Sequence, residues 1–579
     1  MRHSLFTRLL AAAAALALAA LPGVADAQRA RPAAAPFTVV ETSIADLRTA
    51  LERRQTTSRE IVLQYLARIA IYEDRLNAIV TVNPRALAIA DSLDRERAAG
   101  RVRGPLHGIP VALKDIIHAT EMPTTGGAIA FAELMAPYDA TITAHLKAAG
   151  AIIFAKTQLT ELANWTASGM PANYNALTGY GMNPWDPRRD PRDAFFDGRP
   201  VLFTGGSSSG VGTSVSFWAA SVGTETSGSI LSPSNQTMLV GIKPTVGRLS
   251  RHGIIPITAD QDTPGPMART VTDAAILLGA MEGAEPDPND AATNVCQAPP
   301  GRDYTAFLDS KALAGARIGI PRAFFYERTV PPAGGSSSPR GGLGETQRQA
   351  MDEAIAVLRQ LGAVIVDPAD IPSIIESDPA ENLLNWSPCS GLDRAKGRDA
   401  DCSTVFKYGM KRDFNAWLRS LGDRAPVRTL TELRQWNIAH QRAGAIKYGQ
   451  AQLDISDEMD VQADRARYEA DRRKDVRLSA TRGIDAAMRE HRLDALLFPG
   501  PSPANIAARA GYPTVIVPFA LLPLGRGEGA QAFPEGYARA PAPYGVSFTG
   551  SACSEPRLIA LAYAFEQATR RRHAPPLFP

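Results

Sequence analysis

The run Ile109-Pro110-Val111-Ala112-Leu113-Lys114, followed by Ala151-Ile152-Ile153-Phe154-Ala155 behind a helical pattern that starts near Asp139, decides how this chain folds. Both runs are short, apolar and bounded by Gly or Pro, which is how a strand buried on both faces reads. Similar runs recur at Val201-Leu202-Phe203, at ALLFP (495–499) and at TVIVPF (514–519). Strands alternating with helices predict an α/β fold: a single large domain around a central mixed, mostly parallel sheet covered by helices on both faces. Two helices precede this pattern. The second opens on the capping box Thr57-Ser58-Arg59-Glu60, carries Ile61, Tyr65, Ile69 and Tyr72 at helical spacing, and is expected to end before Asn83-Pro84. Segments near 186–200, 331–344, 389–402 and 522–543, rich in Gly, Pro, Ser or charge, read as insertions into one domain over 37–579.

The 579 residues include 45% apolar and 21% charged side chains, ordinary globular usage that excludes a disordered, collagen-like or coiled-coil chain. Lys+Arg 62 against Asp+Glu 59 leaves +3, too even a balance for a nucleic-acid or acidic-membrane binder. The N-terminus carries Arg2 and Arg8, an apolar run from Leu9 to Leu21 and the small-x-small pattern Ala25-Asp26-Ala27. This predicts a signal peptide over 1–27 cleaved between Ala27 and Gln28, and a periplasmic or secreted protein with a Pro/Ala-rich tether over 28–36. The run is shorter than the ~20 residues a membrane helix needs, so no membrane anchor is expected after cleavage. Of the four cysteines, Cys389 and Cys402 bracket a short polar segment and are expected to pair in an oxidising compartment, while Cys296 and Cys553 read as unpaired. No cysteine or histidine spacing suggests a metal site.

The densest concentration of Gly and small hydroxyl residues is Gly205-Gly206-Ser207-Ser208-Ser209-Gly210 followed by Gly223-Thr224-Glu225-Thr226-Ser227-Gly228-Ser229-Ile230. Such a stretch can turn its backbone N–H groups toward a cavity, as an oxyanion or phosphate site requires. A phosphate cradle is disfavoured because no Gly-Lys-Ser/Thr follows. Residues 206–210 also fit G-x-S-x-G, the nucleophile elbow of α/β-hydrolases, which would make Ser208 the nucleophile with His440, His491 or His573 as base. Lys114, Lys156 and Lys243 all follow apolar segments, so the residues alone do not choose among them, and His107 and His252 are read as structural.

A larger pattern separates these readings. From about residue 40 to the C-terminus the sequence resembles the amidase signature family. The resemblance is carried by HGIPVALKD (107–115), MPTTG (122–126), the Gly205–Ile230 block, GIKPTVGRLSRHGIIPITADQDTPGPMARTVTDAA (241–275), GYPTVIVP and SEPRLIALAYAFEQ, and it is nearest the peptide-amidase-like bacterial members. It implies an amidohydrolase acting on a linear carboxamide through a serine acyl-enzyme. Ser229 would be the nucleophile, Ser207 the bridging serine held by a cis peptide, and Lys114 the base. The backbone N–H groups of Thr226, Ser227, Gly228 and Ser229 would form the oxyanion hole, with Ser208 a hydrogen-bonding neighbour. No cofactor or metal is required, and the expected partner is a small-molecule or peptide amide, with no nucleic acid and no obligate partner subunit. Two readings stand beside it: an esterase using Ser208, and a catalytically inactive binding protein on the same fold.

Overall fold

The apolar runs become the middle of an eleven-stranded sheet. In the computed structural model, which describes residues 37–579 apart from 196, 333–337, 391–400 and 528–531, residues Val39–Pro579 form one compact unit. The leader expected over 1–27 and the tether expected over 28–36 lie outside the described residues. The main-sheet strands are β1 (Ile79–Val82), β2 (Pro110–Lys114), β3 (Ile152–Thr157), β4 (Ala220–Glu225), β5 (Val240–Lys243), β6 (Thr263–Ala268), β7 (Arg317–Gly319), β8 (Val364–Val366), β9 (Ala495–Pro499), β10 (Thr514–Leu522) and β11 (Ala542–Thr549). Their spatial order is β1-β3-β2-β4-β6-β5-β10-β11-β9-β7-β8. Every residue of β2 to β6 and of β9 is buried, so these strands lack polar/apolar alternation.

The sheet is mixed and flanked by helices, but its pairing corrects the expected balance. Only β3–β2, β2–β4, β9–β7 and β7–β8 are parallel, and the other six neighbouring pairs are antiparallel. Parallel neighbours need a crossover, supplied by helix Thr141–Ala148 between β2 and β3 and by helix Glu345–Gln360 between β7 and β8. Where the chain returns without a helix, as between β5 and β6, the pair is antiparallel.

Three local expectations also change. The capping box is present, with Thr57 and Glu60 reciprocally bonded, but the helix stops at Leu76 on a left-handed Asn77, and Ile79–Val82 becomes the edge strand. Val201-Leu202-Phe203 is not a strand: Val201 and Leu202 are buried in a cluster with Trp185, Met238 and Phe533. That cluster joins the 186–200 and 522–543 segments. Arg188 stacks on Tyr537 and Arg192 on Phe533, 4.4 and 4.1 Å from the ring centres, and the Asp186 carboxylate accepts from Ala540 N–H. Finally, Cys296 and Cys553 are bonded to each other across 257 residues, against the expectation that they stay unpaired. Their separation in the chain hides a proximity that folding creates. Cys389 is joined to Cys402.

Candidate active site

Strands β2 and β4 lie side by side and parallel, with Leu113 opposite Val222, so both chains leave the sheet at the same end. Lys114, the last residue of β2, is fully buried and meets Thr224 near the end of β4. Its Nζ lies within hydrogen-bonding distance of Ser207 Oγ at 2.7 Å, Thr224 Oγ1 at 2.9 Å and the Thr224 carbonyl at 3.4 Å. Burial lowers the Lys114 pKa from 10.5 to about 7, against the opposing pull of the Asp262 and Glu225 carboxylates. An amine with this pKa is about half neutral at pH 7.

The other two candidate lysines, both buried, are committed elsewhere. Lys156 pairs with Asp115 at 2.9 Å, both side chains fully buried, and Lys243 donates to the Tyr512 carbonyl at 2.6 Å. Asp115 follows Lys114 in sequence, but neighbours along a strand face opposite ways, and its carboxylate takes Lys156 and Thr125. His107 is bonded to the Leu93 carbonyl and accepts from Arg103 N–H, and His252 stacks on Tyr138.

Ser207 follows a cis peptide from Gly206. The turn around it is clasped by the 160–173 loop. Thr160 N–H donates to the Ser207 carbonyl at 2.9 Å, and Thr160 Oγ1 accepts from Asn173 N–H at 2.8 Å. The Asn173 amide then donates to the carbonyls of Gly205 (2.7 Å) and Ser208 (3.2 Å). Ser208 is itself occupied, its hydroxyl donating to Thr224 O and accepting from Thr224 N–H, each at 3.1 Å. This approach needs Gly223, because a Cβ there would lie 2.8 Å from Ser208 Oγ. Among the described residues no histidine bonds Ser208, and no strand precedes it. Both elbow requirements are missing.

Ser229 lies at the end of the second turn, and its carbonyl accepts from Ser208 N–H at 3.2 Å, which ties the two glycine-rich turns together. Gly228 takes φ +91°, a conformation a side chain would strain, and so turns the backbone just before Ser229. Glu225, fully buried, accepts from Ile230 N–H (2.7 Å) and Leu231 N–H (2.9 Å) and fixes the far side of the turn. The near side is fixed by Asp262, whose Oδ1 accepts from Thr226 Oγ1 at 2.5 Å, and by Gln261, which donates to Thr226 O at 3.1 Å. Burial pushes the Asp262 carboxyl up to about 7. The N–H groups of Thr226, Ser227, Gly228 and Ser229 donate to no acceptor among the described residues. Four consecutive uncommitted donors beside a buried serine are what an oxyanion requires.

The sequence reading did not single out Thr224, Asn173, Glu225 or Asp262 for these parts. Asp262 and Thr224 lie within the motif blocks, but Asn173 carries no local signal. Among the described residues no group of three or more His, Cys, Asp or Glu could hold a metal ion, and no helix is long and apolar enough to cross a membrane.

The sequence profile of the Amidase family matches residues 60–559. The chain belongs to the amidase family. A probable amidase of Arabidopsis thaliana is 32% identical over 546 residues, covering 93% of this chain and 92% of that protein. Among solved structures, the peptide amidase of Stenotrophomonas maltophilia superposes with a TM-score of 0.74 at 34% identity, covering 93% of this chain and 99% of that one. An amidase family protein from Bacillus anthracis gives 0.75 at 28% identity, covering 93% of this chain and 92% of that one. This amidase is a hydrolase of amides, similar to the peptide amidases in fold and sequence.

Proposed function

We propose that this amidase is exported and cleaves a linear carboxamide, such as a peptide C-terminal amide, through an acyl-enzyme on Ser229, with Ser207 relaying protons to Lys114. The observation that carries the reading is the 2.7 Å contact between Ser207 Oγ and the buried Lys114 amine, whose pKa is lowered to about 7. A serine hydroxyl attacks a carbonyl only as its proton is removed, and a lysine at its ordinary pKa is charged and unable to accept one. As Ser229 Oγ bonds to the amide carbon, its proton passes to Ser207 Oγ while the Ser207 proton passes to Lys114 Nζ. The carbonyl electron pair moves onto oxygen, where the N–H groups of residues 226–229 meet the new charge, each donor worth roughly 3 kcal/mol in comparable sites. When the C–N bond breaks, Ser207 gives its proton to the departing nitrogen and recovers one from Lys114, since an unprotonated amide anion leaves poorly. Water then attacks the ester by the same relay and releases the acid.

Export rests on the Arg2–Ala27 leader pattern, and the Cys389–Cys402 and Cys296–Cys553 bonds suit an oxidising compartment. The test is ammonia release from a peptide amide by the mature protein. Ser229→Ala and Lys114→Ala are each expected to lower kcat at least a hundredfold, with Ser208→Ala losing far less. Full activity in Ser229→Ala would reject the proposal.

A further inference from the structure

A cavity of about 340 Å³ opens against the active site. Its inner wall is Thr224, whose hydroxyl touches Lys114, and Thr226, the first residue of the Thr226–Ser229 turn. Its sides are the run Ile254–Ile257 and Trp417 from helix Val405–Ser420, with Tyr138 toward the outside. Most polar groups of this lining are bonded within the protein, its charged members included: Arg251 pairs with Asp290, Asp413 accepts from Ala259 N–H, and Asp262 accepts from the Ile257 and Thr258 N–H groups. Thr226 Oγ1 is bonded to Asp262, the Tyr138 hydroxyl shares a hydrogen with Ser420 Oγ at 2.7 Å, and the Trp417 indole N–H donates to His118 Nε2 at 2.9 Å. His118 accepts there because burial keeps its imidazole neutral. The indole is braced further by Phe131 and Phe414, ring centres 5.5 and 5.2 Å away. What remains for a ligand, beside the His252 ring stacked on Tyr138, is a braced aromatic face together with branched aliphatic side chains.

We propose that this cavity is the specificity pocket of the enzyme and seats a bulky apolar, preferentially aromatic, group attached next to the scissile amide, so that the substrates are aromatic or large-side-chain carboxamides. The inference rests on the Ser229–Ser207–Lys114 reading of the adjoining centre. An apolar cavity of about 150 Å³ already holds a benzene ring, so the space takes a ring together with the atoms linking it to the amide.

The test compares kcat/KM for N-acetylphenylalaninamide and N-acetylglycinamide, with fluorophosphonate labelling of Ser229 measured on the same preparations. The native enzyme is expected to favour the aromatic amide at least tenfold. Trp417→Ala, which removes the braced wall, and Ala416→Trp, which fills the cavity from an exposed helix position, are each expected to lower that preference at least tenfold. Thermal melting identifies a variant that fails to fold, and Ala416→Trp does not depend on altering the core. A native preference near unity, or a preference unchanged in both folded variants while Ser229 is labelled, would overturn the pocket assignment. Absence of both labelling and turnover in the native enzyme would instead overturn the reading of the centre on which it rests.

Discussion

Replacing Lys114 by methionine removes the amine while keeping the length and apolar stem of a side chain that is wholly buried at the end of β2. Lowering this pKa from 10.5 to about 7 by burial corresponds to roughly 5 kcal/mol against the charged form, at about 1.36 kcal/mol per tenfold. The consequence for catalysis has a definite sign. An amine with a lowered pKa is neutral above that pH and protonated below it, so the base is available above about pH 7 and lost on acidification. The assay is ammonia release from a peptide amide between about pH 5 and 9. The native enzyme should show kcat/KM falling about tenfold per pH unit below 7 and levelling above 8. Lys114→Met should lower the plateau by about 10² to 10⁴, the usual worth of a general base, and abolish the acid limb. Because the Asp262 carboxylate raises the Lys114 pKa, Asp262→Asn with Lys114 kept should move the acid limb to lower pH. An acid limb that survives unchanged in Lys114→Met, or a native rate still climbing tenfold per unit at pH 9, would refute the assignment of Lys114 as base.

Other consequences follow from contacts outside the reacting atoms. Asn173→Asp keeps the shape of the side chain but replaces the donor that holds the Gly205 and Ser208 carbonyls, so it should cost about 3 kcal/mol of stability in denaturant unfolding and slow Ser229 labelling. Lys156→Met strands the buried Asp115 carboxylate and should cost about 3–5 kcal/mol, most of it recovered when Asp115→Leu is added, as thermal melting of the pair can check. Denatured protein should show no free thiol before reduction and four after it. Loss of Cys296–Cys553 should destabilise the fold more than loss of Cys389–Cys402, about 5 against 3 kcal/mol, because it closes a loop of 257 residues against 13.

What was legible in the sequence was local. Pro110–Lys114, Ile152–Thr157 and Ala495–Pro499 become buried strands because their patterns are complete within a few residues, and the Thr57/Glu60 cap spans a single helical turn. Val201-Leu202-Phe203 misled because Val201 and Leu202 are buried by packing on Trp185 and Phe533 without joining a ladder, and Phe203 is exposed. Strand direction depended on whether a helix or a loop made the return, which short apolar runs do not reveal. In the site, Lys114, Ser207 and Ser229 stand in recognisable motifs: the apolar segments alone left Lys114, Lys156 and Lys243 open, the motif singled out Lys114, and the structure adds that Lys156 and Lys243 have partners elsewhere. The clasp by Asn173, the Cys296–Cys553 bond and the Trp417 wall join segments far apart in the chain, and the periodicity of one segment carries no trace of its distant partner.

The central claim is that Ser229 is the nucleophile and Lys114 drives its activation. The most direct measurement is to treat the purified protein with a small serine-reactive fluorophosphonate and locate the adduct by peptide mass spectrometry, in the native enzyme and in Lys114→Ala. The account predicts a single adduct on Ser229 that forms at least a hundredfold more slowly in the variant. An adduct on Ser208, or labelling of Ser229 at the same rate without Lys114, would contradict it.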